Sequence, residues 1–463
     1  MIVRFVILGG GPAGVQAASH AARLGAEVVM VERDVIGGSA NLWDCIPSKA
    51  MIATGGVMSL TGRAHRMGLA PLEAALDPAG VTERIAGITS HLATGVEALL
   101  ASQGVRLLRG SGRLTGPHQV TAETAEEIVE LEADAVLVAT GSRPRVPAWC
   151  EVDGNRILIT RQAYPPPEMP AHLVVIGSGV TGVEFVHMFR SFGSDVSLIV
   201  SRQQVLPSKD PEVAAALEDD FLRRGVRLYK GARAVGIDLD TRAQGAPGGT
   251  GGTVTVRCDD GRRIEGSHAL LAIGSIPNSE VLGLEEIGVK VDDGGYVPVN
   301  HHCQSNIEHI YAAGDVSGKL PLASVASMQG RKVAEHVMGL HTRAHRHLDY
   351  DKAASAIFTE PEIADVGLAE AEAFAEGRKI RVTKVPFAAS ARALIDGDPR
   401  GFVKIISDPA TGQVLGGSIV GAHAAELISV IALAVTANLR VTDIVESLLV
   451  HPALAEALAD AAD

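Results

Sequence analysis

Residues 4–32 read RFVILGGGPAGVQAASHAARLGAEVVMVE, and this stretch decides the fold of the first part of the chain. Arg4–Leu8 is a continuous apolar run, typical of strands buried on both faces of a parallel sheet. A glycine turn follows at Gly9–Gly14, then an alanine-rich helix at Val15–Leu24 and a second strand that ends at Glu32. This order predicts a dinucleotide site, in which the turn brings backbone amides to a pyrophosphate and the acid accepts hydrogen bonds from a ribose hydroxyl.

A second copy of this pattern begins at Leu173–Ile176 and continues through the glycine turn Gly177–Gly182. The strand after its helix ends in Ser201 and Arg202, where the first copy has an acid. Because an acid at this place favours NAD and repels the 2′-phosphate of NADP, its absence permits or favours NADP. Arg202 and the more distant Lys209 would supply positive charge, although Arg202 can equally be a solvated charge at a strand end. The sequence therefore predicts NAD(P)H, with a preference for NADPH.

Three more apolar strands predict how these nucleotide folds are completed. Ala135–Gly141 and His268–Gly274 each end in glycine, and Ile310–Asp315 ends in a glycine-acid pair that can reach the ribityl chain of a flavin. The glycine-rich residues 245–252 are predicted to form a loose hairpin loop and not a domain linker.

Residues 36–49 read IGGSANLWDCIPSK and contain a single thiol, Cys45. The stretch resembles the active-site segment GGxCxxxxCxPSK of the flavoprotein disulfide reductases, but Ala40 stands in place of the first cysteine. A lone thiol cannot carry two electrons as an internal disulfide. We therefore expect any reduction to proceed without a dithiol relay.

Size and charge exclude several classes of function. A chain of 463 residues predicts two or three domains. Its 54 acidic and 41 basic side chains give a formal charge of -13, which argues against nucleic acid or an anionic membrane as partner. Four cysteines without short paired spacing are typical of a reduced, intracellular protein. The apolar helical run at residues 427–437 is too short to span a bilayer, so we expect a cytoplasmic enzyme without membrane insertion.

These motifs, in this order along the whole chain, resemble the pyridine nucleotide-disulfide oxidoreductase family, which includes dihydrolipoamide dehydrogenase, glutathione reductase and mercuric reductase. The resemblance implies an α/β protein with two Rossmann-like dinucleotide-binding domains and a C-terminal α+β dimerisation domain. It places the FAD-binding domain at residues 1–150 and 276–345, the NAD(P)-binding domain at 151–275 and the dimerisation domain at 346–463. It also implies a homodimer with non-covalent FAD and NAD(P)H as cofactors.

The resemblance further implies the roles of individual residues. Lys49 and Glu184 match a pair beside the reactive nitrogen of the flavin, and Cys45 matches the thiol nearest to it. His451, oriented by Glu456 in the motif HPALAE, matches the general acid–base that completes the active site of the opposite subunit. No metal site is predicted. The matching nucleotide-binding residues are Gly9, Gly11, Pro12, Ala13, Gly14, Glu32, Arg33, Gly38, Ser39, Lys49, Thr140, Gly141, Gly177, Gly179, Val180, Gly182, Glu184, Ser201, Arg202, Gly274, Gly314, Asp315, Leu322 and Ala323.

Three hypotheses for the missing cysteine stay open. The chain is similar to an actinobacterial branch of the family, NAD(P)H-quinone reductases without the redox disulfide, through GSGVTGxEF at 177–185, GSHAL at 266–270 and PLASVAxMQGR at 321–331. This implies direct electron transfer from FAD to a quinone-type or artificial acceptor, with a pyridine nucleotide transhydrogenase as a variant. Alternatively Cys45 works alone through a sulfenic acid or mixed disulfide, as a dihydrolipoamide dehydrogenase-like disulfide or peroxide reductase. The third hypothesis is a redox-sensing or structural component of a larger complex.

Overall fold

The computed structural model describes residues 2–240, 252–340 and 348–463. The chain divides into two compact units. Unit 1 consists of Met1–Ala50, Ala79–Arg145 and Ser275–Tyr350, and unit 2 of Met51–Pro78, Val146–Gly274 and Asp351–Asp463. The predicted division into three domains, with its boundaries at 150, 275 and 345, stays a prediction.

The strands follow one another along the chain with these bounds: β1 (Arg4–Leu8), β2 (Glu27–Glu32), β3 (Arg106–Gly116), β4 (Gln119–Thr124), β5 (Ile128–Glu132), β6 (Ala135–Val138), β7 (Ser142–Pro144), β8 (Ile157–Ile159), β9 (His172–Ile176), β10 (Asp195–Val200), β11 (Arg227–Lys230), β12 (Ala234–Asp240), β13 (Thr253–Cys258), β14 (Arg263–Gly266), β15 (His268–Leu271), β16 (Ser275–Pro277), β17 (Ile310–Ala312), β18 (Ser355–Ile357), β19 (Glu362–Gly367), β20 (Arg381–Pro386), β21 (Phe402–Ser407) and β22 (Val414–Gly421).

The helices, in the same order, are α1 (Pro12–Arg23), α2 (Gly38–Leu42), α3 (Ile46–Gly62), α4 (Pro78–Ser102), α5 (Val180–Ser191), α6 (Pro211–Arg223), α7 (Ala323–Val337), α8 (Glu370–Ala375), α9 (Ala391–Ile395), α10 (Ala424–Ala437), α11 (Val441–Val445) and α12 (Glu456–Ala462).

Unit 1 is built on a seven-stranded sheet in the order β17-β6-β1-β2-β3-β4-β5. Its first five strands pair in parallel, and β3, β4 and β5 continue as an antiparallel meander. β1 lies at the centre of the five parallel strands with Phe5–Leu8 fully buried, as predicted for a two-sided strand. α1 begins at Pro12, three residues before the predicted start, because proline lacks an amide hydrogen and its φ suits the first helical position.

Unit 2 repeats this arrangement in a parallel sheet of order β11-β10-β9-β15-β8. β9 lies between β10 and β15 as β1 lies between β2 and β6. A separate three-stranded antiparallel sheet has the order β12-β13-β14. Its β12–β13 ladder ends at the pair Asp240 and Thr253. Residues 241–251, which hold nearly all of the predicted loop at 245–252, lie outside the described residues.

The C-terminal part of unit 2 is an antiparallel sheet in the order β18-β19-β22-β21-β20. Apolar residues of α10 and α12 share one buried core with β19, β21 and β22. This confirms the predicted fold class, two Rossmann-like α/β folds followed by an α+β region. The apolar run at 427–437 lies within α10, and no helix in the described ranges is long and apolar enough to cross a membrane.

Candidate functional site

The two glycine turns, each at the carboxyl end of a central strand, have the same geometry. Gly9 and Gly177 have φ values of 107° and 110°, and a Cβ on either would clash with a carbonyl oxygen just after the neighbouring strand. A Cβ on Gly14 or Gly182 would clash with the carbonyl oxygen of the first glycine of its own turn. Glycine is therefore required at these four positions for the turn and for the close approach of the helix.

The middle glycines, Gly11 and Gly179, have a different environment. A Cβ on either would have no heavy atom within 4 Å. Each is the N-cap of a 12-residue helix, α1 or α5, and neither cap has a side-chain hydrogen bond. The first-turn amides and the positive end of the helix dipole therefore form two sites that fit the pyrophosphates of FAD and NAD(P)H.

Glu32, the acid at the end of β2, is bonded to the first turn. Its Oε2 accepts a hydrogen bond from the Gly10 amide at 2.6 Å, and its Oε1 accepts one from the Asp34 amide at 2.7 Å. The carboxylate thus braces the turn, and lone pairs remain on both oxygens for the predicted ribose hydroxyl. Arg33 is exposed, with its guanidinium 3.7 Å from the Asp34 carboxylate.

The segment after β2 lies against the same turn. A Cβ on Gly38 would come within 2.9 Å of the Gly11 Cα atom, and the next residue, Ser39, accepts two backbone hydrogen bonds that shape α2. From the other side, a Cβ on Gly314 would lie 3.9 Å from the Ala13 Cβ atom. These predicted FAD contacts therefore gather around the first turn.

Two further predicted segments, at Thr140–Gly141 and at Asp315, form hydrogen bonds with other residues of unit 1. The Thr140 hydroxyl donates to the Asn278 carbonyl at 2.6 Å, and the Gly141 carbonyl accepts from the Asn278 amide at 2.9 Å. Asp315 accepts a hydrogen bond from the Ser142 hydroxyl at 2.6 Å.

Leu322 and Ala323 form the start of α7. The N-cap residue Leu322 forms no side-chain hydrogen bond, so the first amides of α7, which make up the positive end of the helix dipole, are not capped by that side chain. α7 packs closely on α1, since a Cβ on Gly330 would clash with the Ala13 carbonyl oxygen. The start of α7 is therefore suited to a polar acceptor atom of FAD.

Cys45 lies between α2, which contains Ala40, and α3. It is half-buried, and none of the four cysteines, all of them described, forms a disulfide. The Lys49 amide donates to the Cys45 carbonyl at 2.9 Å, so the lysine lies one helical turn after the thiol. The other thiols are buried, and burial raises the pKa of Cys150 and Cys258, and that of Cys303 to about 12.

Sequence reasoning missed Ser48 and Asn41 as site residues. Ser48 is 1% exposed, yet its Oγ atom has no hydrogen-bond partner within the described residues, and the same holds for Asn41 Oδ1. Buried polar atoms are normally paired, so both atoms mark places for a polar group from a cofactor or water. The motif at 47–49 was the signal for Ser48, because this hydroxyl directly precedes Lys49.

Glu184 lies in the first turns of α5 and is 4% exposed. Its Oε1 accepts a hydrogen bond from the Phe358 amide at 3.0 Å. Val180, the first residue of α5, is exposed at the second glycine turn, and Gly274 follows β15 with φ of 90°. Lys49 belongs to unit 1 and Glu184 to unit 2, and their predicted pairing stays a prediction.

Ser201 and Arg202 follow β10 and are both exposed. The Arg202 carbonyl accepts the Gly231 amide at 3.1 Å, which fixes its backbone at the edge of the sheet. The predicted help from Lys209 is not supported, because its Nζ atom donates to Ser355 and to Asp365, each at 2.8 Å. Its charge is thus neutralised within unit 2, and Arg202 is left as the predicted contact of the 2′-phosphate.

His451 and Glu456 are brought together, with Nδ1 of the imidazole 2.7 Å from Oε1 of the carboxylate. The Ala453 amide donates to Oε2 at 2.9 Å. This backbone hydrogen bond, and then the one from His451, hold the pKa of Glu456 below its usual value. Because Nδ1 is bound to the carboxylate, the exposed imidazole presents Nε2 for proton exchange.

The comparisons agree with this geometry. Residues 3–330 match the family model "Pyridine nucleotide-disulphide oxidoreductase", and residues 353–462 match its dimerisation domain. An NAD(P)H dehydrogenase (quinone) of Mycobacterium tuberculosis is 40% identical over 100% of this chain and 94% of that protein. A dihydrolipoyl dehydrogenase of Zymomonas mobilis is 35% identical, covering 98% of this chain and 96% of that protein.

Among solved structures, LpdA from Mycobacterium tuberculosis is similar with a TM-score of 0.92 and 39% identity, covering 100% of this chain and 99% of that one. The chain thus matches the family along its length and has a glycine turn for each of the family's nucleotides. This protein is therefore a member of the pyridine nucleotide-disulphide oxidoreductase family, an oxidoreductase whose cofactors are FAD and NAD(P)H.

Proposed function

We propose that this protein is an NAD(P)H dehydrogenase that reduces a quinone-type acceptor directly at FAD, without a redox disulfide. The observation that carries the proposal is the lone thiol of the active-site segment, where Ala40 replaces the first cysteine and Cys45 has no disulfide partner. The 40% identity to an NAD(P)H dehydrogenase (quinone) supports a quinone-type acceptor.

When bound, FAD would supply the redox chemistry, which is to take up a hydride from NAD(P)H and to pass two electrons on to the acceptor. The chain supplies binding and charge. The turns at Gly11 and Gly179 bind the two pyrophosphates, and Lys49 and Glu184 keep the roles beside the flavin that the resemblance implies. The residues thus hold the reactants in place while the chemistry is the cofactor's.

Reduction of a quinone to a quinol adds two electrons and two protons, which is the equivalent of a hydride and one further proton. His451, whose side chain is exposed, is suited to deliver that further proton. Glu456 fixes the Nδ1 side of the ring, so the transfer takes place at Nε2 and solvent restores the proton. This gives the pair a use that does not depend on a second thiol.

We also propose a homodimer in which His451 serves the active site of the partner. The match of residues 353–462 to a dimerisation domain supports the assembly, and the exposure of His451 on its own subunit supports the exchange. The predicted cytoplasmic location stays a prediction.

Anaerobic titration with NADPH, followed through the flavin spectrum, tests the proposed function. One NADPH per FAD should bleach the flavin fully, because there is no disulfide to reduce. Menadione should then restore the oxidised spectrum, and lipoamide should not. Uptake of a second NADPH, or reoxidation by lipoamide, would contradict the proposal.

Disulfide chemistry through Cys45 alone is the second candidate. It is favoured by the retained pair His451–Glu456, whose 2.7 Å contact is the arrangement that thiol chemistry also requires. The lipoamide arm of the titration separates this candidate from direct quinone reduction.

A further inference from the structure

Glu184 is bonded to a segment that has an anchor of its own. The four residues Phe358–Pro361 connect β18 to β19, and the first of them donates its amide to Glu184 Oε1 at 3.0 Å. Two residues further on, Glu360 Oε1 lies 2.6 Å from a guanidinium nitrogen of Arg63 and 2.6 Å from one of Arg400. The anchor is therefore an ion cluster that begins two residues from the amide.

The cluster is half-buried and contains more than one carboxylate. Arg400 also lies 2.6 Å from Asp398 and 2.9 Å from the buried Asp220, and Arg63 lies 3.2 Å from Asp398. Burial raises the pKa of Glu360, but hydrogen bonds from Ser59 and Arg400 and the charge of Arg63 outweigh it, so the pKa is lowered. Both arginines are thus engaged from two sides, which offsets the desolvation of the charges.

The residues between the amide and the anchor are firmly held. Thr359 is buried, and its hydroxyl donates to the Pro361 carbonyl at 2.7 Å, which closes the turn around Glu360. A displacement of the Glu360 carboxylate is therefore passed on to the Phe358 amide instead of being absorbed by a flexible loop.

We propose that Glu360 is a positioning residue: its ion pairs with Arg63 and Arg400 fix the Phe358 amide, and through it the carboxylate of Glu184. The inference rests on the proposed function, in which Glu184 acts beside the flavin. A carboxylate that touches reacting groups must be aimed to a fraction of an ångström. Glu360 orients the Glu184 carboxylate without itself belonging to the site.

Asp398 offers a matched control for Glu360. Both side chains are 17% exposed and both bind the same two arginines, but Asp398 lies in the chain before β21 and not in the segment that bonds to Glu184. Glu360→Gln and Asp398→Asn each remove one charge of the cluster without a change in side-chain size. An equal loss of stability in both variants measures the contribution of the ion cluster. A difference between the variants measures the effect of Glu360 on the segment Phe358–Pro361.

The first measurement is hydrogen exchange of the peptide that contains Phe358, which needs no catalytic turnover. Glu360→Gln should exchange this amide about tenfold faster than wild type, because its acceptor is no longer aligned. Asp398→Asn should leave the exchange close to the wild-type rate. Equal acceleration in the two variants would overturn the inference.

The second measurement is the rate constant of flavin reduction by NADPH in stopped flow. Glu360→Gln should lower it by about tenfold with little change in the half-saturating NADPH concentration, and Glu184→Gln should lower it at least as much. In the Glu184→Gln background, Glu360→Gln should have no further effect, because both act through one carboxylate.

These outcomes separate the inference from the proposed function. If Glu184→Gln leaves flavin reduction unchanged, the proposed role of Glu184 fails. If Glu184→Gln slows the reaction but Glu360→Gln has no effect, or slows it equally in both backgrounds, the positioning role of Glu360 is wrong. Should Glu360→Gln not fold, Glu360→Asp keeps the charge, shortens the side chain and must give the same changes in smaller size.

Discussion

At the scale of single residues, Cys45 separates direct flavin chemistry from thiol chemistry. It is half-buried at the junction of α2 and α3 and has no disulfide partner. If electrons leave the flavin for the acceptor directly, Cys45→Ser should keep menadione reduction within about twofold of wild type. Steady-state kinetics measure this, with the flavin absorbance as the control for bound FAD. Abolished menadione reduction in a variant that still holds FAD would mean that the thiol takes part.

Arg202 is the residue on which the choice between NADPH and NADH is predicted to depend. Arg202 follows β10, at the place where the first copy of the pattern has an acid that is predicted to bind the ribose. Arg202→Ala should raise the KM for NADPH by about tenfold through loss of a charge-assisted contact, and should leave the KM for NADH nearly unchanged. The two coenzymes, measured on the same preparation, control for general damage. An equal rise for both would show that Arg202 does not meet the 2′-phosphate.

The glycines of the two turns could be predicted from sequence because each satisfies a local need, a positive φ or the absence of a Cβ. Lys209 could not, because its partner Asp365 lies 156 residues away and no local pattern connects them. The same is true of the Phe358 amide that bonds to Glu184 across 174 residues. Sequence patterns predicted the groups that bind nucleotides, and the contacts that orient these groups required the fold.

At the scale of elements, β15 makes stability depend on pH through His268, which is fully buried. Burial, and then the charge of Arg156, lower the pKa of His268 to about 4. The unfolded chain titrates near about 6.5, so between these values it binds more protons than the folded chain. The free energy of unfolding should therefore fall as the pH drops through this range.

His268→Asn removes this titration. Between pH 7 and pH 4.5 the variant should lose less unfolding free energy than wild type, by on the order of 2 kcal/mol. Urea unfolding at both pH values measures the difference, and all other titrating groups are common to the two proteins. Parallel pH dependences would show that His268 does not contribute.

The parallel strands were more predictable than the antiparallel ones. After their first residues, Arg4 and His172, β1 and β9 are wholly apolar because both faces are covered, and their bounds agree with the prediction within one residue. The meander β3-β4-β5 and the sheet β12-β13-β14 were not predicted as such. Their half-exposed strands have mixed patterns, and pairing between neighbours, which a single strand does not encode, stabilises them.

At the scale of the whole molecule, the proposed dimer needs an apolar surface to bury. Exposed apolar residues in α10 and in the chain after α11 are candidates for this surface. Leu433 is 64% exposed, Val450 is 75% exposed and Leu448 is fully exposed. Leu433→Asp should convert the proposed dimer to monomers, because a buried unpaired charge opposes association. Light scattering after size-exclusion chromatography measures the mass. Leu222→Asp on α6, where the leucine is 57% exposed, is the matched control and should remain dimeric.

The division of the chain into units could not be predicted from sequence. Residues 51–78 belong to unit 2, and the predicted division into three domains at 150, 275 and 345 stays a prediction. The division falls inside the helix α3, after Ala50, and the nearest proline and glycine, Pro47 and Gly55, do not interrupt that helix. Within unit 2 this stretch is fixed by the ion pairs of Arg63 with Glu360 and Asp398.

The brace that Glu32 forms on the first glycine turn has a consequence for residence time. A carboxylate bonded to Gly10 already holds that turn in shape, so the binding of a nucleotide requires little rearrangement of the turn. A preorganised site of this kind should bind its nucleotide tightly and release it slowly. The second turn is followed by the exposed pair Ser201–Arg202. We therefore expect FAD to remain bound at the first turn between turnovers. NAD(P)H should bind and dissociate at the second turn in each cycle, and the rate of this exchange should limit turnover.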